Sequence, residues 1–175
     1  KVKITIKSIS TMLKTKSFFV LVLLAILSLT ANLSAQLNES FNYITYGVPN
    51  GWDNSDYDNV NLSAWSYNAT GFDGSAVACK AIDVSKKAYA VLKTPILNSL
   101  PAGCQLTFMY NAPATMGEMS VYLTYGAKKI DLGRLRSKGW TEFSYDLSNY
   151  AGYSVQICFR LDCGGRGSNA QEWYY

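Results

Sequence analysis

The chain has 175 residues, 16 Lys or Arg against 12 Asp or Glu, and no histidine. Without histidine, Ser-His-Asp, Cys-His and mixed Cys/His zinc chemistry are excluded, because the general base and the imidazole ligand are both missing. The net charge of +4 comes from one end: Lys1, Lys3, Lys7, Lys14 and Lys16 precede every acidic residue, leaving 11 basic and 12 acidic side chains over 36–175, a net of −1. That balance gives no reason to expect nucleic acid or an anionic membrane as partner.

In chain order, the first element is a leader. Met12 reads as a start residue, Lys14 and Lys16 as a basic n-region, and residues 18–29 as an almost wholly apolar run followed by a small, polar stretch to Ala35. This pattern predicts a signal peptide over 1–35, cleaved after Ala35, and hence a secreted or cell-surface protein. The apolar run is short for a membrane span, so no stable insertion is expected after cleavage. No cysteine stands at the cleavage point to carry a lipid.

Residues 36–175 form one domain by length. Strands are predicted near 40–45, 75–82, 87–93, 105–111, 119–125, 128–131, 141–145 and 154–161, where apolar residues alternate with polar ones between turn signals. Gly126-Ala127 reads as a tight hairpin and Pro101-Ala102-Gly103 as a turn. Shared parity places Leu106, Phe108, Val121, Leu123, Phe143, Val155, Ile157 and Phe159 inside. The fold class is all-β, a two-sheet β-sandwich. Alternation by itself does not separate a jelly-roll order from an immunoglobulin-like one.

The chemistry-bearing residues are few. Cys79, Cys104, Cys158 and Cys163 lie in the exported part and allow either disulfides, in three pairings, or buried free thiols. Glu118, Asp131 and Glu142 lie near strands, but no spacing makes a catalytic pair of them, so no catalytic residue is assigned. Asp53, Asp56 and Asp58, with Asn54, Asn59 and Glu39, supply the several oxygen ligands a Ca²⁺ ion requires; the competing reading is a solvated loop of Asx turns. Trp65, Tyr67, Tyr150, Tyr153 and Trp173 offer aromatic rings to a ligand such as a glycan, or to the core. Asn38, Asn61 and Asn68 fit the Asn-x-Ser/Thr acceptor pattern.

Several short motifs occur in a fixed order. These are Glu39-Ser40-Phe41-Asn42, Val48-Pro49-Asn50-Gly51-Trp52, Trp65, Thr94-Pro95-Ile96-Leu97, Leu106-Thr107-Phe108-Met109-Tyr110 and Asp146-Leu147-Ser148-Asn149-Tyr150-Ala151-Gly152. In this arrangement the chain resembles the cleaved-adhesin, or choice-of-anchor J, domain, which is related in shape to the MAM domain. The likeness covers nearly all of 36–175, with Asn42 where the family usually has glutamate. It implies a jelly-roll sandwich serving as a non-catalytic adhesion or recognition module of a larger multidomain protein. Some relatives are calcium-braced, and the partner is a host or matrix protein or a glycan. It also implies a closing strand beyond Gln171-Glu172-Trp173-Tyr174-Tyr175 and no fixed disulfide framework. The alternative is a carbohydrate-binding module of a larger secreted hydrolase.

Overall fold

The computed structural model describes residues 2–3, 37–58, 62–82, 87–113, 117–164 and 171–175. The described strands are β1 (Val2–Lys3), β2 (Asn38–Glu39), β3 (Ser66–Gly71), β4 (Gly74–Ile82), β5 (Ala88–Lys93), β6 (Gln105–Tyr110), β7 (Gly117–Tyr125), β8 (Lys128–Leu135), β9 (Thr141–Asp146), β10 (Gln156–Cys163) and β11 (Gln171–Tyr174). Every pairing between them is antiparallel.

One layer has the order β5-β10-β7-β8. The other contains β6 paired with β9, and the three strands β11-β4-β3. Tyr175 joins its two parts by exchanging backbone hydrogen bonds with Asn111 at 2.9 and 3.1 Å. From β5 to β10 the chain passes between layers four times, so strands distant in sequence, such as β5 and β10, become sheet neighbours, as in a jelly roll. Between the layers, Phe108 of β6 meets Phe159 of β10 edge-to-face at 5.0 Å. Seven of the eight residues expected inside are buried, all but Phe143. Phe143 is half-buried on β9, where its ring stacks on Phe108 at 4.9 Å. Among the described residues β9 has only β6 as a sheet neighbour, which leaves its ring partly open to water. A cavity of about 20 Å³ between Phe41, Trp65, Phe108 and Phe159 admits at most one water and is a packing gap rather than a site.

The local signals explain most turns. Gly126, at φ +55, closes the β7–β8 hairpin between the paired residues Tyr125 and Lys128. Trp52 N donates to Pro49 O at 3.1 Å with Gly51 at φ +82, the positive φ that a type II turn requires at its third residue. The turn drives Trp52 into the core, edge-on to Phe41 at 5.5 Å and parallel to Phe159 at 6.4 Å. Pro95 ends β5, and the buried Thr94 hydroxyl accepts the Ile157 N–H at 3.1 Å, so the β10 backbone stays paired past that break.

Some expectations are corrected. The segment 40–45 is not a strand: Phe41 has φ +59, and the buried Glu39 carboxylate accepts the Phe41 N–H at 2.9 Å and the Tyr43 hydroxyl at 2.8 Å, closing a local turn. β8 runs on to Leu135, with a register shift where β7 passes from Val121 to Tyr122. β3 was missed because its residues are mostly polar and half-exposed. The leader expected over 1–35 lies outside the described residues apart from Val2–Lys3, whose backbone pairs with Glu39 and Asn38 on one side and Phe108 and Thr107 on the other. Among the described residues, no helix is long and apolar enough to cross a membrane.

Candidate recognition site

Strand alternation gives the β5-β10-β7-β8 sheet an outer face. Ala88, Ala90 and Leu92 of β5 and Ile157, Phe159 and Leu161 of β10 belong to the core; Tyr89, Val91, Lys93, Cys158, Arg160 and Asp162 take the opposite parity. A small second apolar cluster of Val91, Tyr122 and Cys158 lies on this outer side, with Lys129 Nζ 3.8 Å from the Tyr122 ring centroid.

The register then assembles a charged site. Asp162 pairs directly with Tyr89, and Arg160 stands two residues before Asp162 on the same face. The Arg160 Nε and Nη2 groups donate to the Asp162 carboxylate at 2.7–2.9 Å, and the guanidinium carbon lies 4.4 Å from the Tyr89 ring centroid. Hydrogen bonding to Asp162 holds the Arg160 pKa above its already high ordinary value, so the charge is permanent. These residues open onto a cleft of about 460 Å³, whose lining also includes Asp58, Lys87, Cys163 and Gly164. A Cβ on Gly164 would come 2.8 Å from the Lys87 backbone, a close approach that only glycine permits. The cleft therefore presents a stacked guanidinium whose Nη1 donors lie outside the Asp162 pair, beside a tyrosine ring, a lysine and a second carboxylate.

The expected site residues fall in different places. Asp53 and Asp56 share the Lys93 ammonium, at 3.5 and 3.2 Å. Hydrogen bonds from Ser55, with Lys93 nearby, hold the Asp53 carboxyl below its ordinary range. Burial opposes the Lys93 charge, but hydrogen bonding and attraction from Asp56 and Asp53 outweigh it and raise its pKa. Asp58 instead lines the cleft beside Tyr89, and Glu39 is turned to Phe41 and Tyr43. Among the described residues no three His, Cys, Asp or Glu side chains gather as metal ligands, so the four carboxylates named for Ca²⁺ are not brought together.

Trp65 is corrected from platform to core: it is 1% exposed, and its indole N–H donates to Ala90 O at 3.2 Å. Tyr67 is half-buried, with its backbone N–H on Gly47 O at 2.6 Å. Tyr150 and Tyr153 do converge, at 5.8 and 5.1 Å from the Tyr125 ring, with Tyr153 exposed. All four cysteines are buried and free. Burial raises the Cys79 and Cys163 thiols to about 12, which leaves them poor nucleophiles at neutral pH.

No family model matches the sequence, and no curated protein matches it. Among solved structures, the chain is similar to one from a study of promiscuous specificity in carbohydrate-binding modules of the β-sandwich superfamily. The identity is 13%, the TM-score 0.51, and the match covers 74% of this chain and 56% of that one. The chain thus spans little more than half the length of that structure. It is also similar to the K3 and K1 cleaved adhesin domains of Lys-gingipain from Porphyromonas gingivalis W83. Their identities are 22% and 18% and their TM-scores 0.48 and 0.47, with 79% and 78% of this chain and 93% and 94% of those domains covered. Likeness at this level is likeness of fold: the protein is an antiparallel β-sandwich.

Proposed function

We propose that this protein is a non-catalytic recognition module of the adhesion type, secreted or held at the cell surface as part of a larger protein, with the cleaved-adhesin family as its kin. The observation that carries this reading is Arg160, clamped by Asp162 and stacked on Tyr89 at the lip of an open cleft. An ordered guanidinium loses little freedom when it donates hydrogen bonds to a carboxylate or carbonyl of a partner protein, and its fork geometry selects for planar acceptors. The lack of histidine and the deeply protonated Cys79 and Cys163 thiols support a binding role over a catalytic one.

Calcium bracing is proposed only at Asp53 and Asp56, where the ion must compete with Lys93. A second reading, the carbohydrate-binding module of a larger secreted hydrolase, is favoured by a row of surface aromatics considered below. The test of the main reading is binding to immobilised collagen, laminin and fibrinogen. Saturable binding that is insensitive to added sugar and is lost in Arg160→Ala supports it. Binding that is absent, or unchanged in Arg160→Ala, removes the cleft as the adhesive site.

A further inference from the structure

The layer containing β11, β4 and β3 also has an outer face, and four aromatic rings cross it in a row. Trp173 of β11 is the cross-strand neighbour of Lys80 on β4, and Lys80 Nζ lies 5.6 Å from its ring centroid. From Trp173 the row continues to Tyr175 at 6.4 Å, then to Trp140 at 5.4 Å, then to Phe72 at 6.1 Å. The rings come from β11 and the residue after it, the segment before β9, and the β3–β4 turn, so only the fold brings them together.

The strand beneath explains how they fit. Val77, Cys79 and Ala81 of β4 point into the core cluster, so Ala76, Ala78 and Lys80 take the other face. Ala76 and Ala78 are nevertheless buried and lie outside that cluster. Two methyl groups in place of larger side chains leave room for rings to lie close to the sheet. Phe72 stays 53% exposed and Trp173 40% exposed, while Trp140 and Tyr175 are half-buried.

The shape of the row selects its ligand. A stable protein partner covers about 800 Å² on each side around a broad desolvated centre. This strip is one ring wide. A membrane surface calls for clustered basic residues beside the apolar face, and among the described residues the one cation resting on the row is Lys80, over Trp173. A neutral, ribbon-like sugar chain fits both limits. The C–H faces of equatorially linked pyranoses are apolar and stack on flat aromatic rings. Their hydroxyls project at the edges, where the Lys80 ammonium, the indole N–H groups and the Tyr175 hydroxyl offer hydrogen-bonding partners.

We infer that the row Phe72–Trp140–Tyr175–Trp173 is a stacking platform for an extended, neutral, β-linked polysaccharide, separate from the Arg160 cleft. The inference stands on its own surface and does not depend on what the cleft binds.

Isothermal titration of the whole chain with cellohexaose tests it, with maltohexaose as an α-linked, helically disposed control. Saturable binding of cellohexaose alone is expected. Phe72→Ala and Trp173→Ala should each weaken it about tenfold, the scale of one aromatic contact, while Arg160→Ala leaves it unchanged. Phe72 sits on an exposed turn, so Phe72→Ala decides the matter should Trp173→Ala fail to fold. The platform is overturned by no heat of binding with cellohexaose, by equal binding of maltohexaose, or by affinity that survives Phe72→Ala. Affinity lost in Arg160→Ala but kept in Phe72→Ala also overturns it, by moving the sugar to the cleft.

Discussion

The Arg160 guanidinium lies 4.4 Å from the Tyr89 ring centroid while two of its nitrogens bond Asp162, so one side chain is held on two sides at the edge of an open cleft. The pair spans neighbouring strands, and partial exposure limits its worth to stability to about 0.5–1 kcal/mol. Tyr89→Ala should therefore barely move the urea midpoint yet reduce partner binding, because the guanidinium loses its support. Arg160→Lys should not restore binding, since an ammonium neither stacks as a plane nor grips an acceptor with two bonds. Parallel urea titrations and binding isotherms check both statements.

Core substitutions should behave in the opposite way. Ile157 and Leu106 are fully buried between the layers. Each changed to Ala should cost about 2–5 kcal/mol, from lost transfer energy plus the cavity left behind. Chemical denaturation of the variants, read from the midpoint at constant slope, measures this.

Thr94→Val keeps the shape of a fully buried side chain but removes the acceptor of the Ile157 N–H. An unpaired buried donor costs about 1–3 kcal/mol. Thr94→Ser, which keeps the hydroxyl, should recover most of that loss in the same denaturation experiment.

Stability should fall in alkali. The Cys79 and Cys163 thiols, raised to about 12 chiefly by burial, keep their protons where the unfolded chain loses them, near pH 8.5. Their contribution is full below that pH and declines as pH climbs towards 12. Lys93 has the same sign: its raised pKa makes its ion pairs a stabilising factor that persists below about pH 10.4 and is lost above the folded value. Asp53, lowered by Ser55, acts at the other end: its contribution is full above about pH 4 and is lost as pH falls from there through its lower folded value. Thermal melts should be flattest between about pH 5 and 8, and Cys79→Ala with Cys163→Ala should shallow the alkaline decline.

Calcium should matter more once Lys93 is gone. The ammonium already neutralises Asp53 and Asp56, so the intact protein should show at most a small rise in melting temperature with millimolar Ca²⁺. Lys93→Met leaves two facing carboxylates and should enlarge that rise, and adding Asp56→Ala should abolish it. A melting curve for Lys93→Met that is indifferent to Ca²⁺ and chelator counts against calcium at this loop.

Much of the fold was legible in order of sequence. Period-two parity put Leu106, Phe108, Val121, Leu123, Val155, Ile157 and Phe159 inside, because a strand face is a local property of the chain. The same rule gave the faces of β10, although that strand runs over Gln156–Cys163 rather than 154–161 and so carries Asp162 on the outer face with Arg160. It could not show that Tyr89 lies opposite Asp162, since that depends on β5 pairing with β10 from some seventy residues away. Aromatic residues were legible as a class but not by role. Trp65 is core and Trp173 is surface, yet both stand among polar neighbours in the sequence.

The amino-acid sequence by itself determined that no histidine-based chemistry is possible, that the domain is built from strands, and which side of most strands is apolar. It also placed the turns at Gly103 and Gly126, where a positive φ favours glycine. Only the tertiary structure decided that Lys93 sits between Asp53 and Asp56, that Arg160 stacks on Tyr89, and that Phe72, Trp140, Tyr175 and Trp173 form one row. Alternation fixes the face on which a side chain lies, but strand order and register decide its neighbours, and in this sandwich the neighbours are drawn from distant parts of the chain.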